Sequence, residues 1–161
     1  MSIPAESTLE AYLVAEQAKF YRLAYSYLHH QEDALDAVQT AVCRALERQD
    51  SLRDPHAVRT WFYHILVNIC LDTLRQRKRI VPLSEWEEAG REDPMPPDGH
   101  LARQIDALPA AVGTVIKLRF YEELSLKEIS VVTDSNLNTV KSRLYAGLKK
   151  LRISMEGAEI E

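Results

Sequence analysis

Glycine is scarce in this chain of 161 residues, with 5 in all, and no segment alternates Val, Ile or Thr with polar residues over the length of a strand. That argues against a β-sandwich or barrel. The 2 cysteines, Cys43 and Cys70, lie far apart and form no CxxC pair, so neither a disulfide framework nor a zinc knuckle is indicated. Both fall in apolar helical patterns and are expected as buried free thiols. Aliphatic runs are no longer than Ile65-Leu66-Val67, far too short to cross a membrane. The start, Met-Ser-Ile-Pro-Ala-Glu-Ser, has neither a basic stretch nor an apolar run, so no signal peptide is read and a cytoplasmic protein is expected. Walker loop, HExxH and nucleophile elbow are all missing, and His29-His30, His56, His64 and His100 lack metal-ligand spacing. No catalytic site, no metal and no cofactor are expected, and the chain is not read as an enzyme.

Charge of one sign is not in large excess either. Lys and Arg number 20 and Asp and Glu 24, a formal net charge of −4, which argues against tight nucleic-acid binding over the whole surface. The total hides a segregation. Residues 80–103 hold Pro82, Pro94, Pro96 and Pro97, and Glu85, Glu87, Glu88, Glu92, Asp93 and Asp98 against only Arg91 and Arg103. Proline blocks helix and like charges repel, so this reads as a flexible, acidic, proline-rich linker. The flanking segments, 1–79 and 104–161, are each neutral on balance.

Both flanks carry helical periodicity. From Ser7, with Glu10 completing a capping box, one helix presents Leu9, Tyr12 and Leu13, then, after a gap of two turns, Phe20, Leu23, Ala24, Tyr27 and Leu28. His29-His30 reads as its end. A second helix carries Ala34, Leu35, Val38, Ala41, Val42, Ala45 and Leu46 as its stripe, with Glu32 and Asp33 at its positive end. After a loop at 49–53, Asp54 and Pro55 suit a helix start, and a third helix runs from about His56 to Arg79. Its inner face is expected through Val58, Trp61, Phe62, Ile65, Leu66, Ile69, Cys70 and Leu74. The second flank opens at Leu108-Pro109. Ser125 to Glu128 forms a capping box on a short helix, 133–136 reads as a turn, and a last helix places Val140, Leu144, Leu148 and Leu151 inward. Short helix, tight turn and longer helix is the layout of a helix-turn-helix unit. The expectation is an all-α protein: a three-helix N-terminal bundle (1–79), the linker (80–103) and a C-terminal helix-turn-helix domain (104–161).

The last helix is the sharpest chemical signal. No acidic residue occurs from Ser135 to Met155. Helix-turn-helix readers place the start of this helix in the major groove, where Arg suits guanine, Asn suits adenine, and Ser, Thr and Lys suit phosphates and bases. Asn138, Thr139, Lys141, Ser142, Arg143, Tyr145 and Lys149 are the candidate contacts; a solvated basic helix end accounts well for Lys149, Lys150 and Arg152 but less well for the polar first turn. The third helix ends in Arg75, Arg77, Lys78 and Arg79, downstream of Arg59, Trp61, Tyr63, His64 and Asn68. Aromatics beside cations stack bases and hold a single strand's phosphates. Trp61 fits the core spacing, whereas Tyr63 falls off the stripe and is the better candidate for an exposed ring.

The order of these features is familiar. The blocks 20–28, 32–39 (Glu-Asp-Ala-Leu-Asp-Ala-Val-Gln) and 60–75 (opening Thr-Trp-Phe-Tyr-His-Ile-Leu) resemble region two of bacterial sigma factors. Leu108-Pro109 through 124–129 to Thr139-Val140-Lys141-Ser142-Arg143-Leu144 resembles region four. Two such regions joined by a linker resemble the extracytoplasmic-function (ECF) subfamily. The resemblance implies that the helix from Asp33 docks on clamp helices of core RNA polymerase, with Asp36, Gln39 and Arg44 as further candidates. It implies that the 49–57 loop, with Ser51, Leu52 and Arg53, captures a flipped base of the promoter −10 element. Arg59, Trp61, Tyr63, Asn68, Arg75 and Lys78 would then line the melted strand, region four would read the −35 element as duplex, and the acidic linker would occupy a basic channel. It also implies a regulator, an anti-sigma factor, membrane-bound in many family members, without membrane insertion of this chain. Asn136 and Asn138 stand where the family often has Pro-x-Gly; Asn tolerates turn geometry and caps helices. The alternative is a dimeric helix-turn-helix repressor or activator on a palindromic operator. A third reading is a helical interaction protein with no DNA role.

Overall fold

The computed structural model describes residues 5–80 and 99–160, and among these every regular element is helical. The chain separates into two units, Met1–Asp93 and Pro94–Glu161. In the first, α1 (Ala5–Ala15), α2 (Gln17–Leu28), α3 (Gln31–Glu47) and α4 (Val58–Ile80) surround a core centred on Phe20. Short 3-10 turns at Gln49–Ser51 and Pro55–Ala57 join α3 to α4.

The single helix expected from Ser7 to Leu28 is two. It begins at Ala5, upstream of Ser7, and breaks at Glu16 (φ −102°, ψ 9°), whose carbonyl accepts from both Lys19 and Phe20. The break falls in the two-turn gap between Leu13 and Phe20, where no apolar side chain required a continuous face. Phe20 then packs on Phe62 (4.3 Å between ring centroids), Tyr63 (5.8 Å, edge-on) and Tyr12 (5.7 Å). The His29-His30 pair does end α2. His29 turns left-handed (φ 53°), and His30 Nδ1 accepts the Asp33 N–H at 3.2 Å as the cap of α3.

The inner face of α3 is narrower than its pattern suggests. Ala34, Ala37, Val38, Ala41 and Ala45 are buried, whereas Leu35 is 48% and Leu46 36% exposed and Val42 is half-buried. Alanine lets α3 approach α2 and α4 closely, and the longer side chains are left on the flank. Cys43 is likewise exposed and only Cys70 is buried, which corrects the expectation of two buried thiols. At the far end Arg77, 7% exposed, reaches from α4 to donate to Leu28 O at 3.0 Å and to pair with the Asp33 carboxylate. One guanidinium thereby joins the end of α2, the start of α3 and the end of α4.

In the second unit, α5 (Gly99–Asp106), α6 (Ala110–Phe120), α7 (Leu126–Val132) and α8 (Leu137–Ile160) follow in order. Most of the expected linker, 81–98, lies outside the described residues, but its last part, 99–103, is helical and begins α5. That helix places Ile105 in the core, 3% exposed, although the helix starts within the expected linker. α6 is buried on every side between Gly113 and Leu118, including Lys117, whose ammonium lies 3.3 Å from Asp106 Oδ1.

α8 buries Val140, Leu144, Gly147 and Leu151 and packs on α6, α7 and α5. Leu148, expected inward, is 37% exposed; Gly147 occupies the inner register instead. A Cβ at Gly147 would lie 2.9 Å from Ile116 Cδ1 and Cγ1, whereas one at Gly113 would meet Ile105 O at an ordinary 3.4 Å. Gly147→Ala is therefore expected to lower stability by about 1 kcal/mol, overpacking outweighing the gain in helix propensity. Gly113→Ala is expected to raise it by up to about 1 kcal/mol. Chemical denaturation of the two variants separates these opposite signs.

Candidate nucleic-acid interface

Two exposed helical faces collect most of the polar and basic candidates, one in each unit. In the first, the connection from α3 to α4 is a chain of small turns. Ser51 N–H donates to Arg48 O (2.8 Å), Leu52 N–H to Gln49 O (3.1 Å), and Ala57 N–H to Asp54 O (2.9 Å). Asp54 Oδ1 accepts from His56 N–H at 3.0 Å, and Pro55 starts the second turn, as its fixed φ favours. Ser51 and Arg53 are exposed and Leu52 is half-buried.

The outer face of α4 follows directly. Trp61, His64, Asn68, Asp72, Arg75 and Arg79 recur in steps of three and four, which places them on one side of the helix. The Trp61 indole N–H donates to Ser51 Oγ at 3.1 Å, Asn68 Nδ2 lies 3.2 Å from His64 Nε2, and Arg75 pairs with Asp72. Lys78 is exposed beside this row. An indole, an imidazole, an amide and two guanidiniums in line, with an acidic side chain among them, suit bases and phosphates of an unpaired strand.

Two aromatic expectations on α4 reverse. Tyr63 is 2% exposed, its ring edge-on to Phe20, so it presents no surface on which a base could stack. Trp61, placed by spacing in the core, is only half-buried and stands at the head of the outer face. The cause is that α4 is covered by both α2 and α3, so its buried arc is wider than one stripe and displaced from it. Arg59 falls on the side of Tyr63, Leu66, Cys70 and Arg77, apart from Trp61, Asn68 and Arg75. His64, named in the sequence with Trp61 and Asn68 but given no role on the strand, belongs to the outer face; its three-and-four spacing from the two was the available signal.

The candidates on α3 divide as well. Asp36 and Gln39 are both exposed and neighbours on the helix, but only Asp36 turns to the groove side. Asp33, Asp36 and Arg44 line an open groove of about 450 Å³ between α3 and α4, with Thr40, Asp72 and Arg77. Asp33 is already engaged by Arg77 and by its place in the α3 cap. Gln39 lies instead with Leu35, Val42 and Leu46, an exposed apolar strip that the sequence pattern had assigned to the core.

In the second unit the helix-turn-helix is built as its residues suggest. Ser125 and Glu128 exchange capping hydrogen bonds (2.9 and 3.1 Å) at the start of α7. Asp134 turns left-handed (φ 52°), and Asn136 Oδ1 accepts the Thr139 N–H at 2.8 Å, capping α8 in place of a proline-glycine turn. Asn138, Lys141, Ser142, Tyr145 and Lys149 share the outer face of α8 and are exposed, Tyr145 by 64%. Thr139 and Arg143 stand at its edge, half-buried, and Arg143 Nη1 donates to Ser135 Oγ at 3.0 Å. Arg143 is therefore oriented by the turn itself.

Among the described residues no group of His, Cys, Asp and Glu could hold a metal ion, and no helix is long and apolar enough to cross a membrane.

Comparison with known proteins matches residues 13–80 to the family model "Sigma-70 region 2" and residues 100–151 to "Sigma-70, region 4". The RNA polymerase sigma factor SigV of Bacillus subtilis (strain 168) is 44% identical over 140 residues, covering 84% of each chain. The ECF RNA polymerase sigma factor SigW of the same organism is 31% identical over 153 residues, covering 83% of this chain and 81% of the relative. Among solved structures, the sigma factor RpoE in complex with the anti-sigma factor NepR from Bartonella quintana superposes with a TM-score of 0.74 at 19% identity, over 91% of this chain and 96% of that one. CnrH in complex with the cytosolic domain of CnrY gives 0.70 at 20% identity, over 92% and 88%. At these identities the two structures show a shared fold.

Proposed function

Since this chain belongs to the ECF sigma factors of bacterial RNA polymerase, with regions 2 and 4 of the sigma-70 family, we propose a division of labour between its two helical units. The chain is a promoter-specificity subunit: it binds core RNA polymerase and promoter DNA. The matches do not favour a two-fold operator-binding dimer. Sigma factors are non-catalytic initiation factors, and this chain acts in the same way, in the cytoplasm, making and breaking no covalent bond.

The N-terminal unit binds the polymerase and the −10 element. Its 49–57 loop, with Ser51, Leu52 and Arg53, receives an unpaired base, and Trp61, His64, Asn68, Arg75 and Lys78 carry the strand that follows. The observation that carries this reading is the single row on α4, which continues from that loop. Flipping a base costs a few kcal/mol of unstacking, which a surface adjoining the loop helps to offset. The helix-turn-helix unit reads duplex −35 DNA with Asn138, Lys141, Ser142, Tyr145 and Lys149, and Arg143 at the edge. α3 docks on the polymerase. An anti-sigma factor covers these faces when the protein is held inactive, in line with the NepR and CnrY complexes of its structural neighbours.

Run-off transcription with core polymerase and a library of genomic fragments tests the function and yields the promoter. Sequence-selective initiation that requires both polymerase and this chain is the expected result. Nanomolar binding of the free chain to a DNA site would contradict it, because neither unit carries enough positive charge for strong independent binding. A finer test concerns salt. Each phosphate contact on a single strand contributes about 0.7 to the slope of log K against log salt. Replacing both Arg75 and Lys78 with Ala is expected to flatten that slope by about 1.4 for holoenzyme on a −10 single strand, measured by fluorescence titration.

A further inference from the structure

We infer that Trp61 is a positioning residue for the 49–57 loop, holding it through the hydroxyl of Ser51 in the shape that receives the promoter base. The inference rests on the reading of that loop given above. The hydrogen bonds at Leu52, His56 and Ala57 close turns inside the loop. The bond from Trp61 Nε1 to Ser51 Oγ (3.1 Å) is of another kind: it spans ten positions in sequence and ties the loop to the first turns of α4. Ser51 Oγ in turn donates to Arg48 O at 2.7 Å. The hydroxyl thus accepts from the indole and donates to the carbonyl at the end of α3, linking α3, loop and α4 in one relay.

The chemistry suits a latch. Indole nitrogen only donates, whereas a serine hydroxyl both donates and accepts, so the direction of the relay is fixed. Since the N–H is directed at Ser51, what Trp61 offers a nucleic acid is its ring face. A loop that must grip an extruded base binds more tightly when its shape is set beforehand, because the ordering entropy is not charged against the encounter. Ser51 is exposed and the turns around it are short; Thr60 Oγ1 holds the far end of the loop at Ala57 O (3.2 Å), and the Trp61 bond holds its near end.

The test uses holoenzyme assembled from core polymerase and the full chain, with single-stranded non-template −10 oligonucleotides carrying each base at each position. Trp61→Phe keeps an aromatic face and removes the N–H; Ser51→Ala removes the relay; Ser51→Thr restores a hydroxyl. Loss of one such hydrogen bond corresponds to a factor of about 3–10. Trp61→Phe and Ser51→Ala are each expected to reduce base discrimination about 3- to 10-fold at one position of the strand. The double variant is expected to lose no more than either single one, since the two share one interaction, and Ser51→Thr to keep wild-type selectivity. Core binding stays as in wild type. Unchanged discrimination in Trp61→Phe overturns the latch, as does an additive double variant whose loss is spread over several positions. A wild-type holoenzyme that favours no base at any single position overturns the reading of the loop and the latch with it.

Discussion

Replacing Arg77 with Met lowers the thermal midpoint of the N-terminal unit by about 10–20 °C and leaves the transition of the helix-turn-helix unit in place. The methionine stem keeps much of the packing of the arginine stem, so the loss is electrostatic and polar. Two groups are left behind: Leu28 O, to which Arg77 donates at 3.0 Å, and the Asp33 carboxylate. Removing one partner of a buried ion pair costs about 3–5 kcal/mol. Asp33 is still a third exposed (34%), and water recovers part of that, which brings the cost to about 2–3 kcal/mol. For a domain of this size each kcal/mol moves the midpoint by about 4–8 °C. Asp33→Asn is expected to do less, because it leaves the guanidinium bound to Leu28 O. Differential scanning calorimetry of the full chain reads both variants. A midpoint within about 2 °C of wild type for Arg77→Met would remove Arg77 from its place as the tie between α2, α3 and α4.

The second large effect is on assembly. Leu35 and Leu46 stand on the outer flank of α3, 48% and 36% exposed, with Val42 and Gln39 between them. A strip of this kind on the helix proposed to meet the polymerase is where an interface would concentrate its affinity. Changing both leucines to Lys is expected to weaken core binding about 100-fold, roughly 2.7 kcal/mol, measured by titrating labelled chain with core polymerase. Each side chain is about half in water or less, and the aliphatic stem of Lys can cover the rest with its ammonium in solvent, so folding is expected to lose no more than about 1 kcal/mol for each. The same protein carrying Asp36→Ala and Arg44→Ala compares the groove side of α3 with the strip side. Wild-type affinity for the leucine variant would move the docking surface to the groove.

Much of this architecture was readable from residues whose physics is local. The Ser125–Glu128 capping box, the Asp54-Pro55 start, the His29-His30 ending and the Asn136 cap each depend on neighbours within four positions, and each is found as expected. What depends on a second helix was less legible. Leu35 and Leu46 read as core because apolar periodicity does not reveal that a stripe of alanines makes the closer contact. Tyr63 and Trp61 exchanged places because α4 is flanked on two sides. Helix α5 was hidden because it begins inside the proline- and acid-rich segment, whereas the residue it buries, Ile105, lies just beyond that segment's end. The candidate site followed the same division. The outer face of α8 was largely anticipated, since an exposed face needs only its own helix. The latch between Trp61 and Ser51 was not, since it joins two elements.

The placement of the two thiols has a practical outcome. Cys70 is sealed inside α4, whereas Cys43 opens to solvent on α3, between the leucine strip and the polar groove. A maleimide dye therefore finds one accessible attachment point on the native chain, without engineering, at the middle of the helix proposed to engage the polymerase. The rate of its alkylation, with and without the enzyme, becomes a footprint of assembly taken at a single atom.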